Sequence, residues 1–217
     1  MNAEACGLII LGHTKFGENS VVVHTLSEKF GRRGFLVRAG KKAPMSLFLP
    51  MNIIEAEVRE NPKSTLWYAG GFSLRHPLSG IRGNISKNTI AMFLAEVLFR
   101  AVREGAADEG LFHFCERSIL TLDTLGSDYA NFHLMFLLEL AGVMGFAPTF
   151  DSIAPFAGDY LKPIRTLMEI PFPEALAMPL SGSARSGICS SLLRYLEYYS
   201  ETPLNVRSLD VLREVFA

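Results

Sequence analysis

Cysteine is scarce in this chain, and the three that occur, Cys6, Cys115 and Cys189, lie far apart. No two form a CxxC, and an odd, scattered set speaks against a disulfide framework and fits a reducing cytoplasm. The five histidines, His13, His24, His76, His113 and His133, show no metal-ligand spacing, and HExxH is absent. A GxSxG nucleophile elbow is lacking too. The N-terminus has no basic segment leading into an apolar one, so no signal peptide is expected. Long apolar runs are missing as well. The nearest approach to a membrane span, residues 129–150, carries His133 and Glu139 and then meets Gly142, Gly145 and Pro148, which fits a buried bundle helix instead.

One absence is local. Between Lys29 and Lys42 there is no acidic residue, while Lys29, Arg32, Arg33, Arg38, Lys41 and Lys42 all fall there. The whole chain has a formal net charge of only −1, but residues 1–80 hold ten Lys/Arg against six Asp/Glu, and residues 81–217 hold eleven against sixteen. A basic front half and an acidic back half follow. With 49% apolar and 20% charged residues over 217 positions, disorder is excluded and a sizeable core is available.

Apolar alternation and β-branched runs predict five short strands: 6–11, 20–26, 34–39, 51–59 and 65–74. Five strands in about 75 residues with glycine-rich turns predict a small closed barrel. The loop 12–19 approaches the spacing of a phosphate-binding loop, but Glu18 stands where the lysine would be and would repel phosphate. After Gly83 the period changes to that of helices. Ser86 is the expected cap of a first helix with Ile90, Phe93, Leu94, Val97, Leu98 and Ala101 inward. A second helix spans 111–125, with Phe112, Cys115, Ile119 and Leu122 buried. A third runs from Tyr129 to Met144, capped by Asp128 and apolar on most sides, so central. Six prolines between 145 and 180 predict an irregular segment, placed at about 145–185. Helical pattern returns at 188–199, with Leu192, Leu193, Leu196 and Tyr199 inward, and Ser208 is expected to cap a last helix.

No catalytic constellation emerges. Cys115 follows His113 by two positions, which face apart on a helix, and reads as a core cysteine. His133 reads as a hydrogen-bonded core histidine. Glu55 and Glu57 share a strand face without forming a dyad. Glu139, the odd charge on its helix, pairs with a bundle arginine or reaches solvent. A binding protein is expected rather than an enzyme. A barrel of this kind combines basic groups with aromatics on which bases stack. The candidates are Lys15, Lys29, Arg32, Arg33, Arg38, Lys41 and Lys42 beside Phe16, Phe30, Phe35, Trp67 and Tyr68, most of these rings being needed for the core.

Gly17-Glu18-Asn19-Ser20, the run His24 to Gly31 and the run Arg38 to Lys42 resemble the N-terminal signature of the RecO recombination mediators. The runs Phe93 to Arg100, Ala130 to Leu138, Gly145 to Pro148, Arg194 to Tyr199 and Ser208 to Leu212 resemble its helical part, especially in the Bacteroidetes branch. Each motif is short, but their order and spacing over nearly the whole chain are specific. The resemblance implies an α+β protein with an N-terminal five-stranded OB-fold barrel over 1–80 and an all-helical domain over 81–217. It implies a non-enzymatic role in recombinational DNA repair, in the cytoplasm at the nucleoid. Such proteins bind single- and double-stranded DNA, anneal complementary strands and help load the recombinase RecA. They act with RecR and contact the acidic-hydrophobic C-terminal tail of the single-strand-binding protein. Arg100, Arg103 and Arg117 are the candidate rim of a tail pocket. Many relatives carry a four-cysteine zinc module after the position of Pro148. Residues 149–187 contain no cysteine here, so no metal and no cofactor are expected. The alternatives are an RNA-binding barrel protein and a protein-interaction module whose basic stretch is only a solvated face.

Overall fold

The structure is a computed structural model that describes residues 3–38, 40–105 and 107–217. Among these, β1 (Glu4–Phe16), β2 (Ser20–Ser27), β3 (Gly31–Arg38), β4 (Ile53–Arg59) and β5 (Trp67–Leu74) close into a barrel. The order around it is β1-β2-β3-β5-β4. β3 and β5 pair in parallel and the other neighbours antiparallel. This is the OB-fold arrangement, and the expected fold class of barrel followed by helices holds. Alternation decides the inside: Leu8, Ile10, Val21, Val23, Phe35, Val37, Ile54, Ala56, Val58 and Trp67 fill the barrel, with Phe48 from the β3–β4 connection.

β1 is longer than the strand expected at 6–11. Its pairing with β4 stops at Ile9–Ile53, but residues 12–16 stay paired to β2 out to Phe16–Ser20. The expected loop 12–19 is therefore a projecting hairpin whose turn is only 17–19. Gly17 there has φ +68°, a conformation that favours glycine. β3 begins three residues earlier than expected, and Ala39, its expected end, lies outside the described residues.

The helices are α1 (Ser79–Arg82), α2 (Ile85–Ala101), α3 (Glu109–Thr124), α4 (Phe132–Val143), α5 (Phe150–Ala157), α6 (Leu161–Glu169), α7 (Phe172–Ala177), α8 (Gly182–Ser200) and α9 (Ser208–Val215). The expected inward stripes of α2 and α3 are all buried. α4 is buried on nearly every side and is the centre of the bundle. Cap positions differ. Asn84, not Ser86, caps α2, accepting from the Lys87 amide at 3.1 Å. Asp128 makes no cap bond, because a 3₁₀ turn over Tyr129–Asn131 intervenes. Ser208 opens α9 rather than capping it. Glu96 of α2 does that work, accepting from the amides of Arg207 and Ser208 and from Ser208 Oγ. These bonds hold the Glu96 carboxyl below its ordinary range although burial pushes the other way. Tyr199, expected inward on α8, is 38% exposed.

The proline-rich stretch is not irregular. It is α5, α6 and α7. Pro163 is the third residue of α6 and Pro173 the second of α7, where an amide would have no helical acceptor. Pro148 precedes the Thr149 capping box, and only Pro155 sits deeper in a helix, two residues from its end. α8 also starts six residues before the expected 188. Its first turns carry glycines and serines, and the Tyr160 ring packs directly on the Gly187 backbone and leaves no space for a Cβ.

The outer face of the barrel contributes Ile9, Leu11, Leu26 and Ile53 to one apolar cluster with α2, α3, α4 and α8. Three arginines cross the same seam. Arg75 reaches Glu55 at 2.6 Å, Glu116 of α3 at 2.7 Å and Glu28 at 3.2 Å. Burial lowers its affinity for the proton, but hydrogen bonds to Glu116 and Glu55 outweigh that and raise its pKa. Arg82 donates to Pro50 O and Asn52 Oδ1, both at 2.6 Å. Arg32 Nε donates to Val102 O at 2.6 Å.

Candidate nucleic-acid interface

The outer face of β2 and β3 is divided in two. Its lower half, Leu26 with Arg32 and His24, packs against α2. Phe99 of α2 packs on His24 with the rings tilted, their centroids 4.9 Å apart, and lies 5.2 Å from the Arg32 guanidinium. Burial, and then Arg32, lowers the His24 pKa. The upper half exposes Thr14, Phe16, Arg38, Arg59 and Tyr68 around a covered Val22. One lateral row is Phe16, Ser20 and Arg38, and the next is Thr14, Val22, Leu36, Tyr68 and Arg59. Laterally paired residues project to the same side of a sheet, so Phe16, Arg38, Tyr68 and Arg59 share this face. Phe16 is 52% and Tyr68 40% exposed. The Arg59 guanidinium lies 5.3 Å from the Tyr68 ring.

Two loops border the face. The β1–β2 turn carries Phe16 at its root. In the β4–β5 loop, Leu66 lies over Gly34, where a Cβ would stand 2.8 Å from its methyl group, so the loop is folded down onto β3. Beyond β3 the chain turns between Gly40 and Ala43, with Ala43 N donating to Gly40 O at 3.0 Å. Ala43 is buried in the barrel and anchors a turn whose tip is Lys41 and Lys42. Lys15 stands beside Val21 and Val37 on the other side of the hairpin.

The seven cations expected at the interface thus separate. Lys15, Arg38, Lys41 and Lys42 are exposed, and none forms an ion pair among the described residues. Lys29 pairs with Glu4 at 2.6 Å. Arg32 belongs to the seam. The Arg33 guanidinium lies over the Trp67 ring at 4.5 Å, its Nε buried without a hydrogen-bond partner among the described residues. The aromatics separate likewise: Phe35 and Trp67 are core, Phe30 packs on Trp67 at 5.0 Å, and Phe16 and Tyr68 are open. Arg59 was not among the expected residues. The signal for it was its place beside the strand register of Tyr68, which needs the β4–β5 pairing to be known.

The three arginines proposed for a rim do not converge. Arg100 pairs with Glu96 one turn earlier, at 2.9 Å, and Arg103 with Glu201 at 3.3 Å. Arg117 alone borders an aromatic hollow of about 240 Å³, between Phe114, Phe132, Phe136 and Phe172. Cys115 is fully buried, which pushes its thiol pKa up, as expected of a core cysteine. His133 is also core, but its Nδ1 has no hydrogen-bond partner. Glu139 reaches solvent and forms no ion pair among the described residues. No helix among the described residues is long and apolar enough to cross a membrane.

Comparison with known proteins agrees with this architecture. A family model described as "Recombination protein O C terminal" matches residues 82–155, from α1 into α5. The DNA repair protein RecO of Bacteroides fragilis is 33% identical, the match covering 96% of this chain and 97% of the relative. The chain belongs to the RecO family. RecO of Phocaeicola vulgatus is 30% identical over the same shares, and RecO of Flavobacterium psychrophilum 26%. Membership places the chain in DNA repair and recombination, with an OB-fold barrel at its front.

Proposed function

We propose that this RecO chain is a non-enzymatic recombination mediator that holds DNA on the open half of its barrel. One observation carries the reading. Strands β1, β3, β4 and β5 present Phe16, Arg38, Arg59 and Tyr68 together, and the 40–43 turn adds Lys41 and Lys42. Cations without carboxylate partners neutralise phosphates, and open rings stack on bases of any sequence. Such a surface takes single strands, follows the backbone of duplexes, and favours annealing by holding one strand with its partner accessible. Sequence preference is weak, because phosphates and base faces carry little sequence information. The reading extends to loading of RecA onto strands coated by single-strand-binding protein, in concert with RecR, and the resemblance to the recombination mediators supports it. The acidic-hydrophobic tail of the single-strand-binding protein fits the aromatic hollow at Arg117, a cation that forms no ion pair among the described residues.

Fluorescence anisotropy with a labelled single strand over a salt series tests the DNA surface. Each phosphate contact contributes about 0.7 to the log–log salt slope for single strands. The triple variant Arg38→Glu/Lys41→Glu/Lys42→Glu should lose roughly 2 from that slope and bind far more weakly. Arg32→Ala should lower the melting temperature and leave the slope unchanged. If the triple variant binds like the wild type, the surface is misassigned.

A further inference from the structure

The hollow beside Arg117 does not end at Phe172. Glu139 and Phe172 line it and also line a second hollow of about 340 Å³, between Met135, Leu138, Leu167 and Met168. The two form one groove along α3, α4 and the α6–α7 turn. Its charges are distributed unevenly. Arg117, with Ser118 and Thr121, makes a polar wall in the first hollow, while the second is apolar apart from Glu139. Glu139 is the only residue of α4 between Phe132 and Ala141 that is not buried. It stands where the two hollows meet, it forms no ion pair among the described residues, and Arg117 is the charge it feels. A carboxylate kept on an otherwise buried helix, at the waist of an aromatic groove, has no structural partner to explain it.

We propose that Glu139 is the specificity-determining residue of this groove, selecting peptides that carry a carboxylate at the Arg117 end and no acidic side chain where the chain passes into the second hollow. The inference rests on the reading that the groove receives an acidic-hydrophobic tail. The terminal carboxylate of such a peptide meets Arg117 while its last apolar side chain enters the aromatic hollow. The residue two positions before the terminal one passes Glu139. An apolar or cationic side chain is accepted there, and an acidic one is repelled within a partly desolvated site. Acidic residues further upstream lie outside the groove and are tolerated. Arg117 supplies attraction and Glu139 supplies rejection of the wrong register, the two elements that specificity needs.

The test uses labelled hexapeptides Gly-Ser-Gly-X-Leu-Phe with a free terminal carboxylate and X as Lys, Ser or Asp, titrated by anisotropy into the full chain. Wild type should bind them in the order Lys, Ser, Asp, with about fivefold between neighbours, as expected for single charges screened by solvent. Glu139→Gln should bring all three within about twofold. The wild-type series alone reads the order, so the inference does not depend on the variant folding. A Glu139→Gln variant that keeps the wild-type spread overturns the role of Glu139. If Arg117→Ala still abolishes binding in that case, the groove itself stands. If no probe binds the wild type, or Arg117→Ala binds as tightly as wild type, the tail-groove reading falls and the inference falls with it.

Discussion

Arg75 is the charge on which barrel and bundle meet, and Arg75→Ala is the sharpest test of how they are held. The side chain is 23% exposed, and its partners Glu116, Glu28 and Glu55 are 18%, 27% and 40% exposed. Removing one member of a fully buried charge group costs about 3–5 kcal/mol. Solvent reaches part of this group, and surface pairs contribute about 0–1 kcal/mol. An intermediate loss of about 2–3 kcal/mol is expected. Most of it comes from the three carboxylates left facing one another, because Glu28 and Glu55 belong to the barrel and Glu116 to α3. In urea, with an m-value of about 2 kcal/mol/M, the midpoint should fall by roughly 1–1.5 M. Glu116→Gln should then be milder in the Arg75→Ala background than alone, since it removes a charge that has lost its partner. A midpoint shift corresponding to less than about 0.5 kcal/mol, or strictly additive effects, would refute the idea that this cluster fastens the seam.

His133 gives a pH signature. Burial, and then the Arg185 charge, lower its pKa to about 3 from the 6.5 of an exposed imidazole. The unfolded chain takes up this proton below about pH 6.5 and the folded chain does not. Stability should therefore fall as pH drops through that window, by at most about 1.4 kcal/mol per unit. His133→Leu should remove that share of the slope between pH 7 and 5 in urea titrations, and equal slopes would contradict the assignment. Base stacking on the open barrel face is checked by Phe16→Ala and Tyr68→Ala. Each should weaken single-strand binding by about 1–3 kcal/mol per base lost without changing the salt slope. A changed slope with unchanged affinity at low salt would point to phosphate contact instead.

The elements whose evidence is local were legible. Val21 to Val23 and Ile53 to Val58 announce strands, and the stripe from Ile90 to Ala101 announces a helix, because side-chain direction repeats with the backbone period. The helices α5 to α7 were not legible, since prolines in the first turns of α6 and α7 and near the end of α5 look like breakers until the helix bounds are known. α8 was cut short for a related reason. Its first turns lack an apolar stripe because small residues stand there, and one of them, Gly187, is the surface on which Tyr160 packs.

Chain order by itself determined the barrel, the helical half, the family and the basic stretch from Lys29 to Lys42. It did not determine which of those cations are available. Arg32 bonds a carbonyl 70 positions away and Lys29 a carboxylate 25 positions away. Arg33 lies on a ring from another strand, and only Arg38, Lys41 and Lys42 of that stretch remain open. A charge run states how much positive charge a segment carries. Whether that charge meets phosphate, a backbone carbonyl or a glutamate depends on long-range neighbours, and those are set by the packing of the barrel against the bundle.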